Sequence, residues 1–306
     1  MQKTITLGTG LQIGGDSFVV MAGPCAVETR ERLFTAADSV LAAGAAVLRG
    51  GAFKPRTSPK SFQGLGEQGL RLLQEASQRT GLPVVTEVMD PRDVELVAAH
   101  AAILQVGSRN MQNFPLLREV GRQRKPVLLK RGAAATLEEL LNAADYVLQE
   151  GNADVILCER GVRGFDPATR YVLDLAAVPA LRQRTSLPIV VDPSHGTGEA
   201  GLVPAMAKAA LVAGADGLLV EVHPAPEQAL CDGKQALRLA DFASLMSELK
   251  RLVPLCGRRW SRTPATARGG GAAESGAGRS SESVHPSDRS RGSPTIASLD
   301  DEVIAP

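Results

Sequence analysis

Eight short apolar runs, each separated from the next by enough chain for a helix, restrict the folds open to this sequence more than any other feature. The runs are Phe18 to Ala22, Ala45 to Arg49, Pro83 to Val88, Ala101 to Val106, Pro126 to Lys130, Asp154 to Cys158, Pro188 to Asp192 and Gly217 to Val222. They are too short for core helices and nearly continuously hydrophobic, as strands of a parallel sheet covered on both faces must be. Between them lie amphipathic stretches that predict helices over Arg30 to Ala43, Leu65 to Arg79, Pro91 to Ala99, Leu137 to Gln149 and Val203 to Ala213, with Gly44, Gly81, Gly151 and Gly214 as stops. Eight such β/α repeats predict an α/β chain closed into a (β/α)8 TIM barrel rather than an open doubly wound sheet. Ahead of them, Lys3 to Leu7 and Leu11 to Ile13 flank Gly8-Thr9-Gly10, which predicts a small hairpin across the barrel bottom.

The expected organisation is a hairpin over residues 1–16, a catalytic barrel over 17–256 and a disordered tail over 257–306. The tail reads ARGGGAAESGAGRSSESVHPSDRSRGSP and has almost nothing to bury. Its arginines are taken as solvated rather than as a docking site. Lys and Arg number 34 against 33 Asp and Glu, so overall charge gives no reason to expect nucleic acid or a membrane surface as partner. The N-terminus lacks a secretory pattern and no run is long enough to span a bilayer, which points to the cytoplasm. The four cysteines stand far apart, with no CxxC pair, and suit thiols or one metal-bound thiolate better than disulfides.

Barrel active sites form at the C-terminal ends of the strands. Cys25 follows the first strand, His195 the seventh, Glu221 closes the eighth and Asp232 lies in the loop beyond it. Closure makes strands seven, eight and one neighbours, so these four side chains can meet at one point. Their mixture of soft and hard donors suits one divalent ion such as Mn, Fe, Co or Zn better than Mg. A second set is cationic: Arg49, Lys54, Arg56, Arg109, Lys130 and Arg160 all fall at the same mouth, and Lys130 is the one charge in its run Val127-Leu128-Leu129-Lys130. Such a group calls for ligands carrying several negative charges, phosphate and carboxylate above all. His223 is read as structural, His100 and His285 receive no role, and Cys158 and Cys231 are read as bystanders, although Cys231 beside Asp232 could oxidise.

These segments resemble 3-deoxy-D-arabino-heptulosonate 7-phosphate (DAHP) synthase of the type I β group, which is related to 3-deoxy-D-manno-octulosonate 8-phosphate synthase. The likeness runs from about Phe18 to Leu237. It is carried by Ala22-Gly23-Pro24-Cys25, Leu48 to Ser58, Ser61-Phe62-Gln63-Gly64, Arg109 to Phe114, Leu128 to Gly132, Cys158-Glu159-Arg160-Gly161, Asp192-Pro193-Ser194-His195, Val220 to Pro224 and Asp232-Gly233-Lys234-Gln235. The resemblance implies condensation of phosphoenolpyruvate with D-erythrose 4-phosphate and water, the first step of aromatic amino-acid biosynthesis, by a homo-oligomer that is commonly a tetramer. It implies Cys25, His195, Glu221 and Asp232 as metal ligands. Arg49, Arg109, Lys130 and Arg160 match its phosphoenolpyruvate pocket, with Lys130 hydrogen-bonding the carboxylate or donating a proton. Lys54, Pro55, Arg56 and Thr57 match its erythrose 4-phosphate segment, where octulosonate relatives look like Lys-Ala-Asn-Arg-Ser.

Two departures stand out. Ser108 replaces the usual Ala before Arg109 and brings a hydroxyl to the phosphate site, and Ala26 stands where Ser is common. Only about 16 residues precede the first strand, from which little feedback inhibition by pathway products is expected. The competing readings are octulosonate phosphate synthesis, which the Lys54 to Thr57 segment opposes, a Schiff-base aldolase with Lys130 as nucleophile, and a barrel that binds ligands without turning them over.

Overall fold

A strand buried on both faces must give every backbone N–H and C=O to a neighbouring strand, and the eight apolar runs satisfy this by closing on one another. A computed structural model describes residues 2–261 apart from 56, 57 and 59. The barrel strands are β3 (Ser17–Gly23), β4 (Val47–Arg49), β5 (Val84–Val88), β6 (Ile103–Val106), β7 (Val127–Lys130), β8 (Val155–Glu159), β9 (Ile189–Val191) and β10 (Gly217–Glu221). All are parallel, and the pairings Gly217↔Val19 and Met21↔Val47 close the cylinder through β3. Every residue in them is buried.

The intervening helices are α1 (Arg30–Ala43), α2 (Glu67–Thr80), α3 (Val94–His100), α4 (Phe114–Gly121), α5 (Leu137–Gln149), α6 (Ala177–Arg182), α7 (Pro193–Thr197), α8 (Val203–Val212) and α9 (Leu239–Leu255). Their ends follow local chemistry. The Thr29 side chain accepts from the Arg32 N–H to start α1, Gly44 at φ 94° stops it, and Thr136 with Glu139 forms a reciprocal capping box on α5. The outward halves of the strands pack on these helices in one continuous apolar core.

The expected hairpin is present as β1 (Thr4–Thr6) and β2 (Gln12–Gly14), paired antiparallel. Ile5, Leu7, Leu11 and Ile13 join Val19, Met21, Val47, Val85, Ile103, Leu128, Ile156, Val190 and Leu219 in a second cluster. The hairpin therefore caps a barrel interior filled by side chains, as barrels of eight strands require.

The tail boundary needs correction. Residues expected to open it form β11 (Arg259–Trp260), which pairs with Ser17 and Phe18 of β3. Arg258 reaches buried Asp216 at 2.7 Å, and Trp260 packs its ring 6.1 Å from that of Phe18. A two-residue strand carries no periodicity, so composition alone placed it in the tail. The remainder of the expected tail, His285 included, lies outside the described residues, as do Arg56 and Thr57. No helix among the described residues is long and apolar enough to cross a membrane.

Candidate active site

Side chains alternate in and out along a strand, so the residue two beyond an inward apolar side chain also faces inward. Val47 leads in this way to Arg49, Val85 to Glu87, Ile103 to Gln105, Leu128 to Lys130, Val190 to Asp192 and Leu219 to Glu221. The first member of each pair belongs to the apolar interior. The second is polar, and all six are at most 6% exposed. A ring of buried polar groups thus lies over the apolar filling at the C-terminal end of the strands. Groups so far from water need partners.

They find them in each other. Arg49 Nη1 donates to Glu221 Oε1 at 2.8 Å, and Gln235 Nε2 to Glu221 Oε2 at 2.7 Å. His195 Nε2 lies 3.2 Å from Glu221 Oε1. Lys130 Nζ and His195 Nδ1 both meet Oδ2 of Asp192, which is fully buried. Lys54 Nζ donates to Cys25 Sγ at 3.1 Å, and Cys25 Sγ donates to Asp232 Oδ2 at 3.2 Å. One potential ligand atom from each of Cys25, His195, Glu221 and Asp232 lies within 4.8 Å of the other three.

The loops that deliver these groups are built for it. Gly23 takes φ 152° with Arg49 O so close that a Cβ would overlap it, which lets the chain turn toward Cys25 beside β4. Asp192 accepts the backbone N–H of His195 at 2.9 Å, capping α7 and aiming the imidazole inward. Asp232 has φ 53°, the single positive φ of a non-glycine residue among those described. Such strain is stored where surrounding contacts impose it.

Above the ring opens a pocket of about 390 Å³. Its wall contains the cations Arg49, Lys54, Arg109, Lys130, Arg160, Arg163 and Arg170, against the carboxylates of Glu87 and Asp232. Pro55, Ser108 and His195 line it as well. Arg160 is 4% exposed, stacks 4.1 Å over the Tyr171 ring, and its Nε has no hydrogen-bond partner. A buried guanidinium with an unused donor fits a site shaped for an anion.

Burial and neighbours set the charge states. Burial pushes the His195 pKa below its ordinary 6.5 despite the adjacent carboxylates, leaving a neutral ring with a lone pair to give. Burial alone would raise Glu221 and Asp232, but in the acid range where they titrate His195 is protonated, and with Arg49 at Glu221 and Arg170 at Asp232 it outweighs burial, so both are held below the usual carboxylate range. The Cys25 thiol is pushed well up by its contact with Cys231, by burial and by Glu221. Lys54 and Arg49 pull the other way without reversing the shift, so the sulfur keeps its proton.

The expected site residues that fall within the description therefore come together: four donors at the floor, with Arg49, Lys54, Pro55, Ser108, Arg109, Lys130 and Arg160 around the pocket. His223 is buried against Glu28, consistent with a structural role. Cys158 is buried, its thiol pushed up to about 12 by burial. Cys231 is closer to the site than a bystander, its Sγ 3.4 Å from that of Cys25. Sequence reasoning missed Asp192, Gln235, Glu87, Gln105, Arg163 and Arg170 as members of the site. The two-residue alternation carried the signal for Glu87 and Gln105.

The profile of the DAHP synthetase I family matches residues 2–254. This chain belongs to the DAHP synthetase I family. It is 51% identical over 247 residues to the phospho-2-dehydro-3-deoxyheptonate aldolase of Thermotoga maritima, an overlap of 81% of this chain and 73% of the relative. The crystal structure of that Thermotoga maritima aldolase (DAHP synthase) superposes with a TM-score of 0.82 at 50% identity, over 85% of this chain and 76% of that one. A truncated form of the Thermotoga maritima 3-deoxy-D-arabino-heptulosonate 7-phosphate synthase gives 0.79 at 46% identity, over 85% of this chain and 95% of that one. The 2-dehydro-3-deoxyphosphooctonate aldolase of Geobacter sulfurreducens is more distant, at 32% identity over 82% of this chain and 98% of the relative.

For this DAHP synthetase I family member the donor set fits a transition ion. Ligands at about 2.0–2.3 Å from one centre stand no more than roughly 4.5 Å apart, close to the spread observed. A thiol, an imidazole and two carboxylates form a borderline-soft set. Two of the donors, His195 and Asp232, also line the pocket, so that an ion held there would face its contents.

Proposed function

We propose that this chain condenses phosphoenolpyruvate with D-erythrose 4-phosphate and water, giving DAHP and phosphate at the head of the shikimate pathway. The observation that carries the reading is the juxtaposition of a four-donor cluster and a pocket with seven cations against two carboxylates, in a member of the DAHP synthetase I family. Two phosphorylated substrates, one of them also a carboxylate, supply the charge such a pocket lacks. The greater identity to the heptonate aldolase than to the octonate aldolase favours the four-carbon sugar.

In this reading Cys25, His195, Glu221 and Asp232 hold one divalent ion, with Mn, Fe, Co and Zn as candidates. When bound, the ion supplies positive charge where the acceptor aldehyde oxygen becomes negative. Arg109, Arg160 and the Ser108 hydroxyl hold the phosphate of phosphoenolpyruvate, and Arg49 and Lys130 orient its carboxylate. Lys54 and Pro55, followed by Arg56 and Thr57, receive erythrose 4-phosphate. C3 of phosphoenolpyruvate attacks the aldehyde carbon, water adds at C2, and phosphate leaves by C–O cleavage. Lys130 is placed to donate a proton, and its ion pair with Asp192 occupies the ammonium that a Schiff-base route would need as a free amine. By the same family resemblance the chain acts in the cytoplasm as a homo-oligomer, a tetramer, which sedimentation tests.

Mass spectrometry of the products from phosphoenolpyruvate and erythrose 4-phosphate is the direct test. A seven-carbon keto-acid phosphate formed with one equivalent of phosphate is expected. Ligand binding without product would establish a non-catalytic barrel instead.

A further inference from the structure

One buried carboxylate stands outside the cluster and the pocket yet bonds to the chain on either side of it. Glu28 belongs to the segment that follows Cys25, and its side chain is 2% exposed. Oε1 accepts the backbone N–H of Leu230 at 2.6 Å. Oε2 accepts Arg32 Nη1 at 2.7 Å and faces His223 Nε2 at 3.3 Å. His223 Nδ1 accepts the Ala225 N–H at 3.1 Å, which leaves Nε2 as the protonated nitrogen that donates to Glu28. Arg32 reaches onward, giving hydrogen bonds to Gln228 O at 3.1 Å and Gln228 Oε1 at 2.9 Å.

The placement of these bonds is what matters. Glu28 is three residues from Cys25, His223 two residues from Glu221, and Leu230 two residues from Asp232. A single carboxylate that touches none of the four donors thus ties together the chain next to three of them. The loop it fixes contains the strained backbone of Asp232 at φ 53°. Removing the tie would let that loop relax and carry the Asp232 carboxylate away from Cys25.

We infer that Glu28 is a positioning residue that sets the affinity of the cluster for its ion by clamping the loop 223–232 onto the segment bearing Cys25. The inference rests on reading the cluster as a metal site. Preorganising partners of this kind typically contribute 10–100-fold to metal affinity.

The test measures binding rather than turnover: titration of Zn against a chromogenic chelator, with the full-length chain and its Glu28→Gln and Glu28→Ala variants. Glu28→Gln keeps the shape and the bond to Leu230 but sets an amide N–H against the donors of Arg32 and His223. About 10-fold weaker Zn binding is expected for Glu28→Gln and up to about 100-fold for Glu28→Ala. At saturating metal, KM for phosphoenolpyruvate is expected to stay within about twofold, because Glu28 makes no bond to the pocket cations. Should Glu28→Ala fail to fold, Glu28→Gln carries the test. Equal Zn affinity in the parent and Glu28→Gln would overturn the inference while leaving the metal site standing, as would a lowered melting temperature with unchanged affinity. A parent chain that binds no Zn, Mn or Co would remove the metal reading and this inference together.

Discussion

Asp192 holds His195 twice, through the backbone N–H at 2.9 Å on Oδ1 and through Nδ1 at 2.7 Å on Oδ2. The second bond places the ring proton on Nδ1 and leaves the Nε2 lone pair facing the cluster, the arrangement that metal-binding histidines use. The same Oδ2 receives Lys130. One buried carboxylate therefore orients a ligand of the floor and a cation of the pocket.

Asp192→Asn should consequently damage both. It leaves a buried ammonium without its counter-charge, a loss of about 3–5 kcal/mol, and frees the His195 ring, expected to reduce turnover by about 10–100-fold. Chemical denaturation of the metal-free chain checks the first figure. A change below about 1 kcal/mol would show that Lys130 has another partner.

Cys25→Ala removes the softest donor of the cluster. Turnover is expected to fall by more than about 100-fold, with far-ultraviolet dichroism and melting nearly unchanged. Unaltered activity in this variant would end the assignment of the cluster as a metal site.

Arg160 combines an unused Nε donor with a stacked guanidinium plane. Arg160→Lys keeps the charge but loses the fork and the stack. KM for phosphoenolpyruvate is expected to rise by roughly 10–100-fold, the equivalent of one charged hydrogen bond, with a smaller change in KM for the sugar phosphate. Equal rises for both substrates would move Arg160 out of the phosphoenolpyruvate end.

The pH dependence of stability follows from the same groups. His195 has its pKa lowered from 6.5, so the unfolded chain binds that proton more readily, and stability present above about pH 6.5 is lost as pH falls toward the folded pKa. For Asp192, burial is outweighed by His195 and Lys130, which hold its pKa well below 3.8, so its contribution is present above about pH 3.8 and lost below. The melting temperature of the metal-free chain should fall steadily from pH 7 to pH 4 and more steeply beneath, and Asp192→Asn should flatten the lower limb. A melting temperature that rises on acidification contradicts these charge states.

Much of this was legible in the sequence for a physical reason. Val127-Leu128-Leu129-Lys130 could only be a strand buried on both faces, and a lysine at its end had to point either into helices or into the barrel mouth. Cys25, His195, Glu221 and Asp232 were found because barrel closure makes distant strand ends adjacent. Glu87 and Gln105 obey the same alternation as Lys130, yet they read as ordinary strand polarity until the inward phase of β5 and β6 is known. Asp192 was hidden by a second job, since Asp before Pro is already explained as a helix cap. Arg163 and Arg170 lie in a loop without periodicity, and only the folded path brings them to the pocket. Glu28 acts through Leu230 and His223, about 200 residues away, and no local pattern announces such a tie.

The central claim is that the four-donor floor and the cationic pocket work as one site on phosphoenolpyruvate and erythrose 4-phosphate. Phosphate release from phosphoenolpyruvate tests it most directly, assayed with erythrose 4-phosphate or arabinose 5-phosphate, first after chelation and then after adding Mn. The account predicts no release after chelation and restored release with erythrose 4-phosphate alone. Full activity in the chelated protein, or preference for arabinose 5-phosphate, would contradict it.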